Sequence, residues 1–229
     1  SRRTFLAATA ATALSPVVHA LSAAPTSDPT PPSAPRALTG IARCKRYDFA
    51  EVRRTLAVIF DQLGDVRSLV KGKHVTVKAN LVNTSTEDVS GVPLGLTVTV
   101  HPVVGMALGS LLADYGARRV TYCDQLPFKA IGEAAFLGYG FDLQRFNEVM
   151  AGRARFVNTR SRGAVADYAT VKVRGGGEGA SAWEVNRTYV ETDVLVSLGK
   201  LKSHVSGGIT GGMKNLFGIP PSSLYGDDL

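Results

Sequence analysis

His74-Val75-Thr76-Val77-Lys78-Ala79-Asn80, then Pro102 through Gly116, then Arg119-Val120-Thr121-Tyr122-Cys123-Asp124 decide the fold of this chain. The first and third pieces are short and rich in β-branched residues, so each reads as a strand. Between them, Pro102 suits the first turn of a helix and Gly116 the position just past its end. Val103, Val104, Ala107, Leu108, Leu111 and Leu112 make the buried face of that helix. Strand, helix and strand in this order form a βαβ unit, whose strands run parallel. The connection over 81–100 is rich in Thr, Ser, Val and Gly, and Leu96–Val100 reads as a short strand inside it.

On the N-terminal side, Asp48-Phe49-Ala50-Glu51 has the form of a capping box. Phe49, Val52, Leu56, Ile59, Phe60 and Leu63 follow at helical spacing, and Gly64 is a stop. On the C-terminal side, Asp142–Met150 reads as a helix and Arg155–Asn158 as a strand. Thr170–Arg174 and Trp183–Tyr189 read as a hairpin around the glycine-rich turn at 175–179. Asp193–Leu198 is a further strand, with Asp193 as a turn or cap residue and Trp183 as core. The expected fold is α/β: a mostly parallel, Rossmann-like sheet with flanking helices and a small β-hairpin insertion. No repeat of fixed period interrupts it.

Ahead of this domain, Ser1-Arg2-Arg3-Thr4-Phe5-Leu6 and the Ala-rich run to Ala20 match a twin-arginine export signal, with small-residue cleavage sites up to Ala24. Residues 25–37 are Pro-rich and read as an extended linker. The expected organisation is a signal over 1–24, a linker over 25–37 and an α/β domain over 38–229. The export machinery is then a partner, and the periplasm or envelope of a bacterium the destination. The apolar run is too short to span a bilayer, and no integral membrane segment is expected after the signal is removed.

The chain has 229 residues, 45% of them hydrophobic and only 7% aromatic, enough for a sizeable and mostly aliphatic core. The net charge of +7 favours anionic partners. No basic run interleaved with aromatics and no RNA-binding or zinc-finger signature points to nucleic acid. Two cysteines, Cys44 and Cys123, are too few to ligate an iron–sulfur cluster by this chain alone. They read either as a disulfide of an oxidising compartment or as two buried small apolar residues.

Ligands of open α/β sheets bind beyond the carboxyl ends of the strands. Lys78 and Asn80 close the first strand and Asp124 the second. The last delivers Gly199-Lys200-Leu201-Lys202-Ser203-His204-Val205-Ser206-Gly207-Gly208-Ile209-Thr210-Gly211-Gly212-Met213-Lys214-Asn215-Leu216-Phe217-Gly218. This stretch matches neither a nucleotide phosphate loop nor a dinucleotide fingerprint. Its glycines permit close backbone approach to a ligand, its lysines supply charge, and Thr210 and Asn215 supply hydrogen bonds. The other reading is a solvated turn. His204 is open to two readings, a proton-transfer or metal-binding group and a histidine that fixes the loop. Asp124 likewise reads as a ligand-binding carboxylate or as a salt-bridge partner of Lys78. His101, before Pro102, reads as a helix-start residue.

Lys78-Ala79-Asn80-Leu81, His101-Pro102-Val103-Val104, Lys200-Leu201-Lys202-Ser203-His204 and Thr210 through Gly218 together resemble the family catalogued as domain of unknown function 362. The resemblance runs from about Val75 to the end of the chain. It implies an α/β domain with a functional lysine loop, and it brings a redox association, since many members carry a ferredoxin-like segment that this chain lacks. A redox partner protein is the partner so implied. Family domains also continue beyond the last motif, so the chain reads as C-terminally truncated relative to them.

The reading that results is a protein that binds an anionic small molecule. His204 and Lys202 are its candidate catalytic groups. Lys78, Asn80, Asp124, Lys200, Thr210, Gly211, Gly212, Lys214 and Asn215 are its candidate ligand-binding residues. No metal site is assigned, and the cofactor is left open. The alternative is a non-catalytic binding or accessory protein of the cell envelope.

Overall fold

Four parallel strands, Ala154–Asn158, Arg119–Asp124, His74–Ala79 and Val194–Leu198 in that spatial order, build the centre of the protein. The computed structural model describes residues 37–81, 86–126, 133–160, 167–177, 179–204 and 207–226. The export-signal residues and nearly all of the linker lie outside these. Leu38–Leu229 forms one compact unit.

The elements are α1 (Phe49–Leu63), α2 (Val66–Val70), β1 (His74–Ala79), α3 (Pro102–Asp114), β2 (Arg119–Asp124), α4 (Leu143–Val149), β3 (Ala154–Asn158), β4 (Tyr168–Lys172), β5 (Ala182–Asn186), α5 (Arg187–Val190), β6 (Val194–Leu198), β7 (Ser203–His204), β8 (Gly208–Ile209), α6 (Gly212–Leu216) and α7 (Ser222–Tyr225). The α/β reading therefore holds, with β4 and β5 as the antiparallel hairpin insertion. Among the described residues no helix is long and apolar enough to cross a membrane.

Register gives the sheet two unlike faces. Val75 pairs with Val120, Val77 with Tyr122 and Val196, and Tyr122 with Phe156. Paired residues of parallel strands share a face, so this face is apolar, and it packs with Leu108 and Leu112 of α3 and Phe146 of α4. The opposite face carries Thr76, Lys78, Thr121, Cys123 and Ser197, and it too is closed to solvent around β1. Short helices cover it: Thr76 Oγ1 donates to the Thr188 carbonyl of α5, and α6 lies against β1 and β6. Although the core is mainly aliphatic, its aromatic residues concentrate around Tyr122, which meets Phe146 edge-on at 5.2 Å and stacks on Phe156 at 5.4 Å.

The helix ends follow the sequence. His101 caps α3, its Nδ1 accepting the Val103 amide at 3.2 Å, with Pro102 at the first helical position. Gly64 and Gly116 adopt φ of 91° and 92°, which suits glycine at helix stops. The N-terminus of α1 differs in part. Asp48 accepts the Glu51 amide at 2.9 Å, but Glu51 does not close the box. Its carboxylate takes the Lys45 amide at 2.9 Å and Arg46 Nε at 3.2 Å instead.

Four further expectations are corrected. Leu96–Val100 is no strand; Leu94–Leu96 is a single 3-10 turn. The amides of Thr97, Val98 and Thr99 all converge on the Leu94 carbonyl, so they have no strand to pair with. Trp183 is not core: it lies on the outer side of the hairpin against Tyr225, with ring centroids 4.8 Å apart. Tyr189 leaves the hairpin, because the chain turns into α5 after Asn186. Cys44 and Cys123 are both free, the first exposed and the second buried, so they form neither a disulfide nor a pair of buried small residues.

Candidate functional site

The carboxyl ends of β1, β2 and β6 meet at one edge of the sheet. Strand β1 has β2 on one side and β6 on the other. Ligands of open α/β sheets sit outside the carboxyl ends of the strands. Lys78, Asn80, Asp124 and the loop after β6 all belong to this place.

Beneath it lies a buried clasp. Lys78 and Asp124 are 1% and 0% exposed, and Lys78 Nζ donates to Asp124 Oδ1 at 2.5 Å. Lys78 also donates to the Ala79 carbonyl at 3.0 Å and to Asn215 Oδ1 at 3.3 Å. Asp124 accepts the Leu81 amide at 2.6 Å and the Gln125 amide at 2.8 Å. Burial pushes its carboxyl up from the ordinary range, while Lys78 and these two amides pull it back. Asn215 Nδ2 donates to the Lys78 carbonyl at 2.9 Å and to Ser197 Oγ at 3.1 Å. Gly218 gives this clasp its room, since a Cβ there would stand 3.3 Å from Lys78 Nζ. Lys78, Asp124 and Asn215 thus saturate one another and form the floor that ties the loop to the sheet.

Above the floor are three lysines. Lys202 is half-buried; its ammonium donates to Asn80 Oδ1 at 3.3 Å and to the Val98 carbonyl. Lys200 donates to the Gly95 carbonyl at 2.7 Å and lies 5.8 Å from the Tyr47 ring centre. Lys214 lies 6.0 Å from the Phe217 ring centre. Among the described residues, none of the three forms an ion pair. The consequences show in their neighbours. Burial, with repulsion from Lys200 and Lys214, holds the Lys202 amine below the usual lysine range, opposed by attraction to Asp124. Burial and Lys200 likewise lower the His101 imidazole, which stacks on Tyr47 at 4.0 Å.

Other candidates hold the loop. Thr210 Oγ1 donates to the Lys200 carbonyl and accepts the Lys202 amide at 3.1 Å. Gly211 is extended, with φ of −177°, and Gly212 opens α6. His204 Nδ1 accepts the Gly207 amide at 3.2 Å, which places the proton of the neutral ring on Nε2. Gly207 permits that bend: a Cβ there would fall 2.8 Å from Lys214 Cε. Among the described residues, no group of three or more His, Cys, Asp or Glu could hold a metal ion.

Sequence reasoning missed Gln125. Its Nε2 donates to the Gly218 and Pro220 carbonyls at 2.6 and 2.5 Å, and its Oε1 accepts the Ser222 amide at 2.9 Å. It missed Ser197 as well, whose signal was a polar residue within an otherwise apolar strand. Cys123 lies beside Asp124 and Tyr189, and burial pushes its thiol up to about 12, so it holds no thiolate nucleophile.

Residues 75–226 match the model of a family described as a domain of unknown function, DUF362. The chain belongs to the DUF362 family. The DUF362 region begins inside β1 and ends after α7, so it takes in the sheet except His74, together with the clasp and the lysine loop. No curated protein and no solved structure matches the chain.

Proposed function

We propose that the crevice at the ends of β1 and β6 binds an anionic small molecule, with Lys200 and Lys214 supplying charge and Lys202 and Asn80 lining its base. The observation that carries this reading is the convergence of three lysines without carboxylate partners beyond the carboxyl ends of β1 and β6. Cations left unpaired around a half-buried crevice repel one another, and an anion relieves that repulsion. Lys78, Asp124 and Asn215 serve it from below by fixing the loop.

Calorimetry with inorganic phosphate and with small carboxylates tests this. Lys214→Ala is expected to weaken binding by about tenfold or more, the worth of one charge-assisted hydrogen bond. The side chain of Lys214 lies outside the core, so the fold should persist. Because the Lys202 amine is held below the usual range, it loses its charge at a lower pH than an ordinary lysine. Affinity should therefore decline before the ordinary lysine value of about 10.4 is reached. Unchanged affinity in Lys214→Ala contradicts the assignment.

A second reading rests on exposed apolar side chains beside the lysines. Met213 is 90% and Phe217 83% exposed, and the two lie four residues apart at the same end of the loop. A large exposed apolar patch marks an interaction surface, which favours an accessory protein that presents the loop to a macromolecular partner. Failure of small anions to bind in the same titrations moves the weight to this reading.

The location proposed for the protein is the bacterial envelope, reached by the twin-arginine route on the strength of Ser1-Arg2-Arg3-Thr4-Phe5-Leu6. A reporter fused behind residues 1–37 should be exported, and R2K/R3K should hold it in the cytoplasm. Export of both fusions alike rejects the signal. Association with a redox partner rests on family resemblance alone.

A further inference from the structure

Lys202 is set apart from the other two lysines by how its amine is held. It is half-buried beyond the end of β1, and its partners, Asn80 Oδ1 and the Val98 carbonyl, are uncharged oxygens. A neutral primary amine has two N–H groups and one lone pair. In its neutral form, an amine that donates both N–H groups to these oxygens keeps its lone pair for an electrophile. Thr99, next in the chain after Val98, keeps a fully buried hydroxyl without a hydrogen-bond partner among the described residues. Lys200 and Lys214 act on the amine as neighbouring cations.

We propose that Lys202 is an amine nucleophile that forms an imine with an aldehyde or ketone bearing a carboxylate or phosphate, the anionic group being held by Lys200 and Lys214. This rests on the anion-binding reading above and deepens it. The Lys202 nitrogen attacks the carbonyl carbon, a C–N bond forms, and the carbonyl π pair moves to oxygen, which takes the first of the two protons the nitrogen gives up. The carbinolamine then loses its hydroxyl as water while nitrogen gives up a proton, leaving C=N. Nothing is oxidised or reduced, and water is the sole by-product. Two features suit Lys202 to this step. Burial and the two flanking ammonium groups favour the neutral amine, the arrangement that activates lysines for imine chemistry. The same two cations attract the anionic end of the substrate, so the group that activates the nucleophile also positions its target. Lys78 is excluded from this role because its ammonium is locked against Asp124.

The test is reductive trapping of the full chain at neutral pH. Pyridoxal 5′-phosphate supplies a phosphate-bearing aldehyde and pyruvate a carboxylate-bearing ketone, each with sodium borohydride, and the adducts are mapped by peptide mass spectrometry. The expected result is about one reduced adduct per chain at Lys202, formed severalfold faster than at any other lysine. Inorganic phosphate should slow its formation, and pyridoxal without phosphate should label it more slowly. The ratio of pyridoxal 5′-phosphate to pyridoxal labelling reads the contribution of the phosphate, and that of pyruvate to acetone the contribution of the carboxylate. K202R, which keeps the positive charge but not the amine, should lose the adduct. Adducts spread evenly over the surface lysines overturn the proposal, and this mapping on the unmodified chain does not depend on a variant folding. An equal total rate in K202R overturns it as well. Phosphate binding without trapping removes the imine step alone, whereas absence of both removes the anion site with it.

Discussion

Asp124→Ala is expected to destabilise the domain by about 3–5 kcal/mol, the cost of leaving a buried charge without its partner. Lys78 is almost fully buried, so water cannot replace the lost carboxylate. The amides of Leu81 and Gln125 lose their acceptor in the same step. Urea denaturation should show a lower midpoint at an unchanged slope. Lys78→Met/Asp124→Leu removes both charges and fills a similar volume, so it should recover the part of the loss due to the unpaired charge, while the Leu81 and Gln125 amides stay without their acceptor. A single-mutant loss below about 1 kcal/mol would contradict a desolvated ion pair. Because Asn215 bonds both the Lys78 ammonium and the Lys78 carbonyl, the single substitution should also loosen the lysine loop. Anion affinity should fall with stability in Asp124→Ala and return in the double variant only as far as the loop is held again.

Tyr122→Ala is expected to cost about 3–5 kcal/mol through the cavity it opens. Its ring is the meeting point of Phe141, Phe146 and Phe156, and its hydroxyl donates to the Gly105 carbonyl at 2.7 Å. Helix α3 can approach that ring because position 109 is glycine. A Cβ there would fall inside contact distance of the Tyr122 hydroxyl and the Met150 sulfur. Gly109→Ala should therefore cost about 1–3 kcal/mol by overpacking. Tyr122→Phe/Gly109→Ala should cost less than the sum of its two single changes, since removing the hydroxyl makes room for the methyl group. Thermal unfolding of the four proteins measures this, and strict additivity would show that the two positions do not press on each other.

The βαβ core was legible because its signals are local. Val75, Val77, Val120 and Tyr122 alternate or cluster as buried strands do, and His101-Pro102 and Gly116 mark the ends of α3 within a few bonds of where they act. The same logic failed at Leu96–Val100. Its β-branched residues suit a strand, but a strand needs a partner, and the Leu94 carbonyl collects its amides instead. Trp183 failed for a similar reason: hydrophobicity favours burial, yet only the placing of the β4–β5 hairpin decides what is there to cover it.

For the candidate site, the sequence by itself put Lys78, Asn80, Asp124 and the lysine loop at strand ends, because strand polarity is written in chain order. It also pointed to the family, through short motifs that are each contiguous in the chain although they are spread from Lys78 to Gly218. What tertiary structure alone decided is how these residues divide their work. Lys78 and Asp124 are 46 positions apart, and Lys78 and Asn215 are 137 apart; their union depends on sheet register, which no local pattern carries. That register sinks Lys78 beside a carboxylate and leaves Lys200, Lys202 and Lys214 without one. Residues of one chemical type become a buried, paired floor or uncompensated cations according to the charge and burial that distant segments bring to them.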